Sequence, residues 1–220
     1  MALRTERVLC SVLLVFAGCA AVRAASAGPG VAAADSGLVL VANGQSRGAI
    51  VISAAAAPAE VVAAAELAAH FRKMSGAQLP VRRGSEPLPT PAVVIGTFEH
   101  LAELGIVLPS VELPVEGHLL RVANGRLVIG GSGPRGVLYG VYALLEDHLG
   151  FRWFAPDTSL VPRRPTIAFP ALNQSGQPVF EYREPKLYAG GRRSAWWRAH
   201  FDAAFVARTR NSATSLDANV

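Results

Sequence analysis

Cysteine is nearly missing from this chain. Two are present, Cys10 and Cys19, and both fall before residue 20. The rest of the chain therefore has no thiol for a disulfide or a thiolate metal site. Histidine is sparse too. His70, His100, His118, His148 and His200 form no His-x-x-x-His and no His-Glu-x-x-His pair. A metal centre has no support in that pattern, and neither a metal nor a cofactor is expected. Charged residues make up only 17%, and the formal net charge of +5 is scattered among acids and apolar runs. Without a basic stripe interleaved with aromatics, nucleic acid is not an expected partner. No Gly-x-Ser-x-Gly elbow occurs, which removes that route to a serine nucleophile. Glu146 and Asp147 are consecutive on a predicted helix, so they face different sides and do not form a paired acid and base. There are no internal repeats. What is present is apolar: 51% hydrophobic residues mark a foldable chain, not a disordered one.

The N-terminus reads as a secretory signal, residues 1–24. Arg4 and Arg7 supply a basic start, and Val8 to Ala17 is an apolar stretch too short to span a bilayer comfortably. Val22-Arg23-Ala24 and Ala25-Ser26-Ala27 both offer small residues for cleavage. A secreted or periplasmic protein is the expectation. Phe16-Ala17-Gly18-Cys19 is similar to a lipoprotein box with Phe16 in place of an aliphatic residue, so a lipid anchor at Cys19 is the alternative and the one expected route to a membrane.

An Ala/Gly-rich lead-in covers 25–36. Strands are predicted at Leu38 to Ala42 and Ala49 to Ile52, around Asn43-Gly44. The spacing of Val61, Ala64, Ala65, Ala68 and Phe71 predicts a helix over 58–75, with Glu60 in its first turn and Gly76 past its end. Leu79 to Val81 and Ala92 to Gly96 read as strands, and Glu99 to Leu104 as a helical turn. Asn124-Gly125 sets a hairpin between Leu119 to Val122 and Arg126 to Ile129. The helix from Gly136 to His148 is apolar on most of its circumference, which places it inside the molecule. Strands at Phe151 to Phe154 and Thr166 to Phe169 follow. Residues 172–178 read as a linker and domain boundary. Past it come the strand Val179 to Glu184 and a Trp/Arg-rich helical pattern from Ser194 to Arg210.

One motif invites a nucleotide reading. Gly131-Ser132-Gly133-Pro134-Arg135-Gly136 matches Gly-x-Gly-x-x-Gly between a predicted strand and helix, with Asp157 further on. Pyrophosphate would then approach backbone N–H groups at the helix start. Pro134 removes one of those donors, a hairpin feeds the loop, and no parallel βαβ order precedes it. A tight bend that needs glycine competes with the nucleotide reading.

A wider pattern runs through the same region: Gly-Arg-Leu-Val-Ile-Gly-Gly from Gly125, Arg-Gly-Val-Leu-Tyr-Gly-Val-Tyr-Ala-Leu-Leu-Glu from Arg135, and Leu-Gly-Phe-Arg-Trp-Phe-Ala-Pro from Leu149. It resembles the N-terminal domain of family 67 α-glucuronidases and is similar to the second domain of β-hexosaminidases. The stretch from Ala64 to Val81 fits the same domain, so the resemblance spans about residues 38 to 170. It implies an α+β fold over 37–171: a mixed or antiparallel sheet with helices packed on one face. In those families this domain buttresses a (β/α)8 barrel and carries no catalytic residue. The implied activity is hydrolysis of a glycan, such as a uronic-acid-bearing plant polysaccharide. Hydrolysis needs two carboxylates across the scissile bond, and a full barrel takes roughly 250 residues. Residues 179–220 are expected to be the first strand and helix of an incomplete barrel, and the chain alone to be inactive. By resemblance to hexosaminidases, Arg183 and Glu184, at the end of that strand, are the candidate sugar-binding residues; a structural charge at a strand end is the competing reading. Trp196 and Trp197 are weighed for stacking on a sugar, against division between core and surface. The alternative function is a non-catalytic carbohydrate-associated binding or scaffolding module, with a dinucleotide-binding protein third.

Overall fold

The computed structural model describes residues 37–84, 87–108, 112–180, 183 and 203–210. The signal segment, Cys19, Glu184, Trp196 and Trp197 lie outside the described residues, as do most of the residues read as the start of a barrel.

The chain opens with β1 (Leu38–Ala42) and β2 (Gln45–Ser46). Asn43 and Gly44 connect them at φ of 51° and 74°. Two left-handed residues in sequence suit the twist of a tight hairpin, which is why an Asn-Gly pair marks it. Next come β3 (Ala49–Ile52), α1 (Pro58–Ser75), β4 (Val81–Arg83), β5 (Ala92–Thr97) and α2 (Phe98–Glu103). The hairpin β6 (His118–Ala123) and β7 (Arg126–Gly131) turns at Asn124-Gly125, again with both residues left-handed. Then follow α3 (Pro134–Ala143), β8 (Arg152–Ala155), β9 (Thr158–Leu160), β10 (Ile167–Phe169) and β11 (Asn173–Gly176). A last helix, α4, spans Ala203–Arg208.

The central sheet has six strands in the order β11-β6-β7-β5-β3-β4. β4, β3, β5 and β7 run parallel to one another; β6 runs antiparallel to β7, and β11 antiparallel to β6. A parallel block is therefore present, contrary to the expectation that no parallel βαβ order precedes the glycine loop. The reason is burial. All four residues of β3 are buried, and so are Ala92 to Gly96 of β5. Strands covered on both faces read as continuous apolar runs without alternation.

The two faces are distinct. Ile50, Ile52, Val93, Ile95, Leu127 and Ile129 pack toward α1 and α3. Val51, Ala92, Val94 and Val128 pack toward Leu101 and Leu104 at α2. The two long helices thus share one face, as expected, and the short α2 covers the other. α1 buries Ala63, Ala64, Leu67, His70, Phe71 and Met74. Its stripe is centred on Leu67 rather than Ala65, which is exposed. Among so many alanines, periodicity alone fixes the face only approximately. From Gly136 on, every residue of α3 is buried, and the helix packs against both α1 and the sheet. Each large apolar side chain so enclosed contributes about 1.5–3 kcal/mol. The helix does not run on to His148 as an α-helix; Leu144–His148 form a π turn.

The stretch read as a linker is partly structured. Asn173 to Gly176 form β11 and pair with Arg121 to His118 of β6. Its side chains are mostly exposed and polar, so only the backbone holds it to the edge. Val179, Phe180 and Arg183, the described members of the expected barrel strand, lie in no strand.

Candidate functional site

The glycine loop is the first place to look, since it carried the nucleotide motif. β7 ends at Gly131, and Pro134, with its preset φ, opens α3. The segment Pro114 to Gly117 lies across this bend. Ser132 Oγ donates to Pro114 O at 2.6 Å, and Ser132 N donates to Gly117 O at 3.1 Å. A Cβ on Gly136 would stand 2.3 Å from Gly117 O, and one on Gly131 would stand 2.4 Å from Val137 N. The chain's own backbone fills the approach that a pyrophosphate would need. Gly131 and Gly136 serve close packing, which decides for the tight-bend reading and against the dinucleotide one.

Beside that loop is a cavity of about 260 Å³. Glu116, His118 and Tyr139 form one side of it, and Gln177, Pro178, Arg183, Thr209 and Arg210 the other. Glu116 has φ of +96°, a strained backbone for a residue with a Cβ. Its carboxylate accepts a hydrogen bond from Arg183 Nη2 and lies 3.9 Å from Arg135 Nη1. The Arg183 guanidinium is further fixed by Phe180 O and by Arg210 O, the latter at 2.9 Å from Nε. It also lies over the Tyr139 ring, 5.9 Å from its centroid. Burial, and secondarily Glu116, push the Tyr139 phenol upward. Arg183, the candidate sugar-binding residue, lines this cavity, and the structure shows what holds it.

Two further arginines past residue 178 make similar contacts. Arg208 binds Glu66 of α1 through two bonds of 3.0 Å, Nε to Oε2 and Nη2 to Oε1. Arg210 Nη2 donates to Glu146 Oε2 at 2.6 Å, and its Nη1 lies 4.0 Å from Asp147. In an α-helix Glu146 and Asp147 would diverge; at this π turn one guanidinium reaches both. Three arginines past residue 178 therefore close on Glu116, Glu66 and Glu146. Sequence reading found Arg183 but not Glu66, Glu116 or Glu146. These pairs join positions far apart in the chain, so no local pattern announces them.

A second polar cluster lies deeper. Glu60 is fully buried. Its carboxylate accepts from Ala57 N at 2.6 Å, Thr97 N at 2.8 Å and His100 Nδ1 at 2.8 Å. It thereby joins the start of α1 to the junction of β5 and α2. The hydrogen bond from Glu60 raises the His100 pKa above its ordinary value. His118 is shifted the other way. Its Nδ1 is buried without a hydrogen-bond partner, and its ring packs on Gly176. Burial, helped by Arg210 and opposed by Asp147, lowers it to about 4.

The two histidines shape stability in opposite directions. His118 contributes stability that is present above pH 6.5 and is lost as pH falls through about 4, worth at most about 3 kcal/mol. His100 contributes stability that is present below pH 6.5 and is lost as pH rises through its raised value. Urea unfolding measured from acid to alkaline pH is expected to show a maximum near pH 6.5. His118→Gln should flatten the acid limb and His100→Gln the alkaline limb. Limbs that persist in both variants would refute this assignment.

Among the described residues, no group of three or more His, Cys, Asp or Glu is placed to hold a metal, and no helix is long and apolar enough to cross a membrane.

Comparison with known proteins agrees with the fold. Residues 40–144 match the family described as Glycosyl hydrolase family 67 N-terminus. A search of curated proteins found no match. Among solved structures, the chain is similar to a family GH115 4-O-methyl-α-glucuronidase with specificity for decorated arabinogalactans. The TM-score is 0.51 at 21% identity, over 66% of this chain and 19% of that one. A GH138 enzyme targeting pectin rhamnogalacturonan II aligns with a TM-score of 0.32 at 10% identity, over 46% of this chain and 10% of that one. The chain spans only 19% of the length of the GH115 enzyme, and at this identity the likeness is one of fold. Residues 40–144 are thus similar to a glycoside-hydrolase accessory domain of the glucuronidase N-terminal type.

Proposed function

We propose that residues 37–178 are the supporting domain of a secreted glycan-degrading hydrolase, and that they brace a catalytic unit beginning in the segment that follows. The observation that carries the bracing role is the set of three ion pairs, Arg183 with Glu116, Arg208 with Glu66 and Arg210 with Glu146. The family match supplies the reaction class, hydrolysis of glycosidic bonds. The chemistry itself needs two carboxylates facing each other across the bond. Of the cavities described here, two are lined by a single carboxylate, Glu116, which already holds an arginine. Residues 1–24 serve as the export signal in this reading, with lipidation at Cys19 as the alternative.

The proposal predicts that the 220-residue chain hydrolyses no glycoside. Purified protein incubated with aryl glucuronides and aldouronic acids should give no product above a buffer blank. Turnover that disappears in Glu184→Gln would sink it. N-terminal sequencing of exported protein should begin near Ala25; an intact Met1 on exported protein speaks against the signal.

A second reading has Arg183 and Glu184 grip sugar hydroxyls. It is favoured by Arg183 lining the cavity beside the Tyr139 ring. Calorimetric titration with glucuronic acid and neutral pentoses decides it: binding that Arg183→Ala abolishes supports this reading, and no heat with any sugar removes it.

A further inference from the structure

We propose that the contact between the supporting domain and the segment ending at Arg210 is an acid-released latch, opened when His118 takes up a proton while the rest of the domain stays folded. This rests on the bracing role proposed above.

The geometry is that of a charge trap at an interface. His118 starts β6 at the foot of the cavity. β7 and β11 meet it with glycines, Gly131 and Gly176, which bring no charge. From α3 comes the Tyr139 hydroxyl, with Arg135 behind it at Glu116. From the π turn comes Asp147, which favours the charged ring, although it lies within 4.0 Å of Arg210. From the preceding loop comes Glu116, already engaged by Arg183. From the docked segment come Arg183 and Arg210. A proton on His118 therefore adds a buried cation with no hydrogen-bond partner on Nδ1, facing an arginine. Such a charge is costly unless it is paired or hydrated.

Two routes bring water to the ring. Global unfolding sacrifices the whole core. Lifting the segment opens the cavity, because Arg183, Thr209 and Arg210 are part of its lining. The second route removes Arg210 from the histidine and, among the described residues of the segment, takes only Phe205 and Ala207 out of buried positions. Local opening is cheaper than global opening where few buried apolar contacts are lost. The cost is the burial of Phe205 and Ala207 together with the three ion pairs, which are partly exposed and weaken further with salt. Acid should thus release the segment before it unfolds the domain.

Hydrogen exchange on the full chain tests this, with labelling from pH 7 to pH 4 and correction for intrinsic rates. At pH 7 the amides of α4 should be protected. On acidification they should lose protection by at least about tenfold while those of α1 keep theirs. In His118→Gln, whose side chain cannot be charged, the midpoint of this loss should move to lower pH. In Glu146→Gln, which weakens the hold on Arg210 without touching His118, it should move to higher pH. Unprotected α4 at pH 7 would overturn the bracing role itself. Protection of α4 at pH 7, lost only together with that of α1, would overturn the latch alone. An unchanged midpoint in His118→Gln would do the same, by assigning the release to carboxylates.

Discussion

Replacing Glu60 with alanine should lower the stability of the fold by about 3–5 kcal/mol, read as a fall in denaturation midpoint at constant slope. The carboxylate it removes is fully buried and accepts from Ala57 N, Thr97 N and His100 Nδ1. Two backbone donors lose their partner where water cannot replace it, at about 1–3 kcal/mol each. The imidazole loses the anion that raises its pKa. Glu60→Gln keeps the shape but presents an amide NH₂ to the same donors, so about 2 kcal/mol should be lost even there. The alkaline decline in stability assigned to His100 should vanish in both variants. Domains have about 5–15 kcal/mol in total, so the alanine variant should be largely unfolded when warmed. A loss below about 1 kcal/mol would mean that the buried carboxylate is not the tie between α1 and β5.

Gly136→Ala is the second large effect, and its sign is opposite to the helix-propensity expectation. Inside a helix, alanine is better than glycine by about 1 kcal/mol. Here the new methyl would lie 2.3 Å from Gly117 O, a backbone atom in a segment tied down by Ser132. Something must shift, and overpacking of this kind costs about 1–3 kcal/mol and sometimes more. We expect a net loss of about 2 kcal/mol or more. Gly133→Ala is the control within the same motif. Its Cβ would meet nothing within 4 Å, and its φ of −155° is extended backbone open to any residue. That change should stay within about 0.5 kcal/mol. A phosphate-cradling loop would also depend on Gly133, so equal losses at both positions would revive the nucleotide reading.

Local features were the legible ones. The two Asn-Gly pairs gave their hairpins because left-handed residues belong to that turn. α1 was bounded correctly by Pro58 and by Gly76, which sits at φ of 81°. The parallel block was hidden because β3 and β5 are apolar on both faces and carry no alternation. β11 was hidden for the opposite reason: Asn173-Gln174-Ser175-Gly176 contribute backbone bonds and almost no buried side chain. A cut at residue 172, natural from composition, would strip that strand from β6 and leave an open edge. At the site, Arg183 came to notice through the resemblance to hexosaminidases and not through any local pattern of its own. Its partner Glu116 lies 67 positions away, and Arg208 and Glu66 are 142 apart. Charge pairing over such distances is decided by the fold. Glu60 looked like an ordinary first-turn acid, because nothing near it in the sequence reveals that Thr97 and His100 come to meet it.

β1 pairs with β10, Leu38 opposite Phe169, so the first strand of the domain waits for nearly the last. During synthesis, a ribosome that has released residues up to about 160 holds a β1 whose only strand partner is the two-residue β2. Leu38, Val41, Ile167 and Phe169 are all buried in the finished core and have no complete shelter until that late strand arrives. Contacts of such sequence separation form slowly, since a long loop must close first. The β1–β10 pair therefore cannot close until residue 169 is available, and until then this end of the chain keeps the extended freedom that threading through a narrow channel requires.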